Sequence, residues 1–219
     1  AGLGARVVLE VPQPLAGLLG QIEGVSQVVP RGQALPAFDC HCPLMSLPLA
    51  FNPRLDDIPD PGAYLRSDAA RRSAWSARLG RTARPLVGIA WSGDPQRAHD
   101  RRRSLLLAAF LQALPEGCEY VSLQKEVRAE DREELARSSI RHFGEALTDF
   151  GETAALCDLV DLVVSVDTSV AHLAAALGRP TWLLLEHLPD WRWMLAREDS
   201  PWYASLRLYR QPEIGRAHV

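Results

Sequence analysis

From Leu86 onward, short apolar runs alternate with helix-patterned stretches, and no other feature of the chain constrains the fold as strongly. The runs are Leu86–Trp91, Tyr120–Leu123, Ile140–Phe143, Leu162–Val166 and Thr181–Leu185. Between them, helices are expected over Ser104–Leu114 with Ser104 as cap, Ala129–Ser138, Glu152–Leu159, and Thr168–Leu177 stopped by Gly178. Strands this short that run parallel need crossovers, and a helix of about ten residues is the usual one. The pattern therefore predicts an α/β fold with a parallel sheet and right-handed connections. No internal repeat or low-complexity segment interrupts it.

The first part of the chain is less regular. Arg6–Val11 and Val25–Val29 read as strands, separated by a helix over Leu15–Ile22 that Pro14 opens and that ends near Gly24. Phe38–Cys42 reads as a third strand broken by Pro43, and the proline-rich stretch 52–64 as a surface loop. A helix over Asp68–Leu79 ends at Gly80, and the polar Arg81–Pro85 is a linker candidate. Two units are expected, an α/β lobe over 1–80 and a separate parallel sheet over 85–212. Ala1–Ala5 has the character of a helix tail feeding a strand. In one frame a common short-read sequencing adapter encodes EIGRAHV, so 213–219 are read as adapter sequence, with no functional weight for His218.

Composition narrows the function classes. Lys plus Arg number 24 against 27 Asp plus Glu, a formal charge of −3, with 47% hydrophobic residues. Without a clustered basic surface, general nucleic-acid binding is not expected. The longest apolar run, Leu159–Val166, contains Asp161 and Ser165 and is too short to span a bilayer. No basic-then-apolar leader opens the sequence, and four cysteines are too few for a disulfide framework, so a reducing cytoplasm is expected.

In open parallel sheets, ligands bind beyond the carboxyl ends of the strands, so the loops after each strand carry the functional information. The first, Trp91–Pro95 through Asp100–Ser104, offers Ser92, the small Gly93 and an arginine cluster ending in Arg103, suited to bidentate contact with phosphate oxygens. A solvated charged loop capped by Ser104 has the same composition. The second begins a helix: Asp167 as cap, Thr168 and Ser169 supplying amides and hydroxyls, and His172 within the first turns. A plain cap with a packed histidine is the alternative. The third, Ser122–Lys125, puts Gln124 near a nucleotide hydroxyl and Lys125 near a phosphate, or is an exposed polar turn.

Two features invite over-reading. Cys40-His41-Cys42 resembles a metal motif, but only the cysteines share a strand face and no second pair follows at zinc spacing, so no metal site is expected. The aromatic stretch Asp190–Trp193 with Asp199–Tyr203 is expected to be a packed corner, with Arg192 stacked on indole. There is no GxxxxGK[ST], GxGxxG or GxSxG, which removes support for P-loop, classical dinucleotide and α/β-hydrolase readings.

Taken in order, GARVVLEV at 4–11, FDCHCPLMSLPLAF at 38–51, GIAWSGDP at 88–95, DRRRS at 100–104, SLQKE at 122–126, the long stretch 149–185, DWRW at 190–193 and DSPWY at 199–203 resemble one family. It is the glycosyltransferase domain that follows tetratricopeptide repeats in many bacterial proteins, grouped with the heptosyltransferase-like family 9 enzymes and distantly related to O-GlcNAc transferase. DTSVAHLAAALGRP at 167–180 is the most specific element. Asp94, Arg97 and His99 stand where the family shows Asn, His and Asn, and Glu186-His187 replaces a Pro-containing turn.

The resemblance implies a GT-B fold, two Rossmann-like domains facing across a cleft, with the donor on the C-terminal one over 85–212 and the acceptor on the other, over 1–80, which is incomplete. It implies an inverting, metal-independent glycosyltransferase, taking a nucleotide-diphosphate sugar as donor and a protein or glycan hydroxyl as acceptor, with no cofactor. Asp167, Thr168, Ser169 and His172, with Ser92, Gly93 and Arg103, would hold the donor's diphosphate or sugar. Gln124, Lys125, Asp149 and Thr153 would lie near the base and ribose. The first acceptor-side strand and its loop, which bear the general base, would precede Ala1, so no general base is named. A catalytically silent nucleotide-sugar-binding scaffold beside the repeats is the alternative function, and a GT-B epimerase a third.

Overall fold

The computed structural model describes residues 4–58, 62–80, 83–94, 96 and 100–213. Parts of the expected helix tail (1–3), of the proline-rich loop (59–61) and of the linker (81–82), the departures at Arg97 and His99, and 214–219 lie outside these residues. Two parallel sheets form. The first pairs β1 (Val7–Val11) with β2 (Val25–Pro30), joined by helix α1 (Gln13–Leu19), with Pro14 in its first turn. A short helix α2 (Leu47–Phe51) and a longer one, α3 (Ala69–Leu79), follow. Asp68 caps α3 by accepting from the Arg71 amide at 2.8 Å, and Gly80 ends it.

The second sheet holds β3 (Leu86–Ala90), β4 (Glu119–Ser122), β5 (Leu162–Val166), β6 (Thr181–Leu185) and β7 (Leu206–Arg210) in the order β4-β3-β5-β6-β7. Its helices are α4 (Asp100–Arg103), α5 (Leu107–Ala113), α6 (Arg132–Arg137), α7 (Phe150–Cys157) and α8 (Ser169–Ala176). Every residue of β3 and four of five in β5 are buried, as strands covered on both faces must be. On one face Leu123, Leu156, Val163 and Leu173 pack under α7 and α8; on the other Val87, Ile89 and Tyr120 pack against Phe110 of α5.

The first of these cores crosses between the two halves of the chain, because Leu18, Trp75 and Leu79 belong to it. Polar contacts follow the same path. The amides of Tyr64 and Leu65 both donate to the Ala176 carbonyl at 3.0 Å. Gly178, at φ +72°, lies so near that a Cβ there would sit 2.9 Å from that of Ala63. Arg71 pairs with Asp149 at 2.5 Å, and the Trp75 indole donates to Glu152 at 2.8 Å.

Three expectations are corrected and one strand is added. Residues 38–42 form no strand; they are exposed, so Cys40 and Cys42 share no strand face. Residues 140–143 make only one parallel bridge, Arg141 to Val121, because a single pair of hydrogen bonds joins them to the outer edge of β4. Ser104 caps no helix: α5 starts after Leu106, and its Leu107 amide is met by Asp131 at 2.8 Å. Strand β7 was not anticipated, although buried Leu206 and Leu208 flank exposed Arg207 in the alternation of an edge strand. Around residues 38–51, Phe38, Leu44, Met45, Leu49 and Phe51 remain on the surface. No helix among the described residues is long and apolar enough to cross a membrane.

Candidate functional site

The chain leaves β3 toward β4 on one side and returns to β5 on the other, so the strand order reverses between β3 and β5. A crevice opens at such a point beyond the strand ends. Here a cavity of about 1010 Å³ occupies it, walled by the loops after β3, β4 and β5, the starts of α7 and α8, and Pro14 of α1. All eleven positions named above for donor contact line this cavity.

The loop after β3 is held by side chains from the neighbouring loop. Gln124 accepts from the Trp91 and Ser92 amides at 2.7 and 2.9 Å through Oε1, and donates through Nε2 to Ser92 Oγ and the Glu126 carbonyl. Its carboxamide is thereby committed to the protein, and direct contact with a nucleotide would displace one of these bonds. Buried Asp131 accepts from the Trp91 indole at 2.9 Å as well as from Leu107. Gly93 donates its amide to Ser104 Oγ at 3.0 Å. A Cβ at Gly93 would lie 2.3 Å from Asp100 Oδ1 and 2.8 Å from Arg103 Nη2, so only glycine lets the loop close over that pair. Arg103 Nε donates to Asp100 at 3.0 Å, and Arg128 donates to the same carboxylate.

The opposite wall is the start of α8. The N-cap is Thr168, correcting the expectation of Asp167, and its hydroxyl faces Ser165 Oγ at 3.2 Å instead of a helix amide. Among the described residues, neither the Thr168 nor the Ser169 amide donates to a backbone carbonyl. These are the unpaired donors that every helix start presents, at its electropositive end. His172 lies one turn in, half-buried, stacked on Trp193 at 5.0 Å, with Nδ1 3.1 Å from the Tyr203 hydroxyl and Nε2 3.9 Å from Asp167. Burial pushes its pKa below the ordinary histidine range, aided by Arg192 and opposed by Asp167.

Asp149 caps α7 through the Glu152 amide at 3.0 Å. Burial would raise its pKa, but Arg71 and the helix amides outweigh that and hold it below the usual carboxylate value. Thr153 turns its hydroxyl back to the Asp149 carbonyl at 3.4 Å, while Lys125 stands exposed at the rim. Arg192 lies over the Trp191 ring at 4.8 Å, as expected of the aromatic corner. All four cysteines are free thiols, and no group of three or more metal-ligating side chains occurs among the described residues.

Residues 121–185 match glycosyltransferase family 9, the heptosyltransferase family. The family 9 segment runs from β4 to the end of β6 and so includes the α8 start, His172, Asp149 and Thr153. Over 173 residues the chain is 30% identical to protein FlbA of Caulobacter vibrioides, covering 76% of this chain and 29% of that protein. The chain thus spans 29% of the length of that curated relative. In fold it is similar to ADP-heptose LPS heptosyltransferase II of E. coli, with a TM-score of 0.56 and 16% identity over 94% of this chain and 81% of that one. It is also similar to a family 9 glycosyl transferase from Veillonella parvula, with a TM-score of 0.50 and 13% identity over 85% of this chain and 52% of that one. The parallel α/β architecture read from the sequence is the architecture these structures share.

Sequence reasoning missed Asp100, Arg128, Asp131, Trp193 and Tyr203. Asp100 carried a signal, an acid three residues before Arg103, the spacing of an i,i+3 pair. Arg128 carried none.

Proposed function

We propose that this chain carries the donor-binding part of a GT-B glycosyltransferase, which moves a sugar from a nucleotide-diphosphate sugar to an acceptor hydroxyl, with inversion and without a metal. The observation that carries this reading is the convergence of two phosphate-competent elements on one cavity at the strand-order reversal. Unpaired amides at the start of α8 face it from one side, and Arg103 from the other. The family 9 match of residues 121–185 supports sugar transfer as the chemistry.

In this mechanism the diphosphate sits against the amides of Thr168 and Ser169, where the helix dipole favours negative charge. Arg103 supplies a charge-assisted fork, and neutral His172 donates a hydrogen bond as charge develops on the leaving oxygen. The base and ribose lie toward Lys125, Asp149 and Thr153. The acceptor, a protein or glycan hydroxyl, approaches from the side of Pro14 and β1–β2. Tetratricopeptide repeats upstream in the intact protein, and a cytoplasmic setting, complete the proposal. The test is calorimetry of this chain against UDP-, GDP- and ADP-sugars, with and without EDTA. One donor should bind above the others and be indifferent to the chelator. Absence of binding by any of the three, or binding only with added metal, rejects the reading.

A further inference from the structure

Behind the cavity wall Asp100 is buried, its side chain 2% exposed, and it serves two guanidinium groups. Arg103 reaches Oδ1 through Nε, and Arg128 reaches Oδ2 through Nη2. Ser104 completes the cluster: its hydroxyl donates to Asp100 at 3.1 Å and accepts from Arg128 at 2.9 Å and from the Gly93 amide. One hydroxyl has one donor and two acceptor sites, so Ser104 is saturated and the geometry is fixed.

The cluster has a direction and an excess charge. The carboxylate lies innermost, and the arginines are more exposed, 23% for Arg103 and 13% for Arg128, with both lining the cavity. Two cations on one anion leave a net positive charge toward that space. A stabilising ion pair needs only one arginine per carboxylate; the second makes sense where a further anion is to be met.

Resting on the proposed donor site, we infer that Arg128 shares recognition of the donor's diphosphate with Arg103, and that Asp100 is the positioning residue that holds both guanidinium groups. Arg128 is 28 residues from Asp100 and belongs to none of the motifs above. The ligand chemistry is a diphosphate, whatever nucleoside it carries. Arg103 presents the terminal nitrogens of its fork, because its Nε is engaged by Asp100, and Arg128 adds charge from the β4 side.

The test uses this chain, inorganic pyrophosphate, and ADP, GDP and UDP, with binding measured by calorimetry at two salt concentrations. Arg128→Gln is expected to weaken the nucleoside diphosphate that wild type binds best by about tenfold or more, weaken pyrophosphate similarly, and reduce the salt dependence of both. Arg128→Lys should recover only part, since an ammonium cannot hold Asp100 and Ser104 and still present a planar fork. Asp100→Asn should weaken pyrophosphate although no positive charge is lost. In wild type, pyrophosphate should slow modification of Arg128 by phenylglyoxal, which needs no folded variant. If Arg128→Gln only lowers the melting temperature while affinity and salt dependence stay at wild-type values, or pyrophosphate leaves Arg128 modification unchanged, the inference is overturned and the donor site stands. If wild type binds neither pyrophosphate nor any of the nucleotides, both fall.

Discussion

The two walls of the cavity are built differently. On the wall formed by the loops after β3 and β4, polar side chains are tied to one another and to backbone: Gln124 makes four hydrogen bonds to neighbouring groups and Asp131 two. On the α8 wall, the Thr168 and Ser169 amides have no backbone partner, and His172 is only half-buried. Apart from Arg103 and Arg128, the first wall is a scaffold whose polarity is spent internally. The second keeps its hydrogen-bonding capacity for a ligand. Burial decides the difference: an unpaired donor inside the protein costs free energy, while one facing a solvated cavity does not.

The comparison predicts that damage to Gln124 or Asp131 on the first wall appears in stability and damage to the second wall in affinity. The largest effect should come from Asp131→Ala, which leaves the Trp91 indole and the Leu107 amide buried without acceptors. A loss of about 3 kcal/mol or more is expected in urea unfolding; a change below about 1 kcal/mol would mean that the loop is held by something else. Gln124→Leu keeps the volume but strands the Trp91 and Ser92 amides, so unfolding free energy should fall by about 2 kcal/mol. If instead Gln124→Leu is as stable as wild type and loses only nucleotide affinity, the two walls are not different in kind.

His172→Ala tests the open wall. Binding of the donor diphosphate should weaken about tenfold, or roughly 1.4 kcal/mol, with a small shift in melting temperature from the lost stacking on Trp193. A large drop in stability with unchanged affinity would place His172 with the scaffold.

The smallest effect is in pH. Burial pushes both His172 and His142 below the ordinary histidine value, and His142 Nδ1 is buried without a partner. The unfolded chain therefore binds protons that the folded chain resists, so stability should rise with pH through the window just below the ordinary histidine value and decline as pH falls from 7.5 to 5.5. Asp149, held below its ordinary value, contributes stability that is lost only at pH values under the carboxylate range. Urea unfolding at the two pH values checks the sign, and His142→Phe should flatten the slope. An equal slope in that variant would assign the effect elsewhere.

The sequence by itself determined the strands β3, β5 and β6, the stop of α8 at Gly178, and the loops in which a ligand site had to lie. Those are local matters: β-branched runs and glycine at positive φ act within a few residues of themselves. It also presented the helix start at 168–172 as an anion site, because cap residues sit next to the amides they serve. What only the tertiary structure decided is the partnering of side chains far apart in the chain. Asp100 meets Arg128 across 28 residues, His172 meets Tyr203 across 31, and Gln124 reaches Ser92 across 32. The same packing displaced local preferences: Ser104 gave up its expected cap to saturate the Asp100 cluster, and Phe38–Cys42, with no neighbouring strand to pair its backbone, formed none. A hydrogen-bond donor takes the acceptor that folding brings within about 3 Å, and periodicity along the chain carries no record of which one that will be.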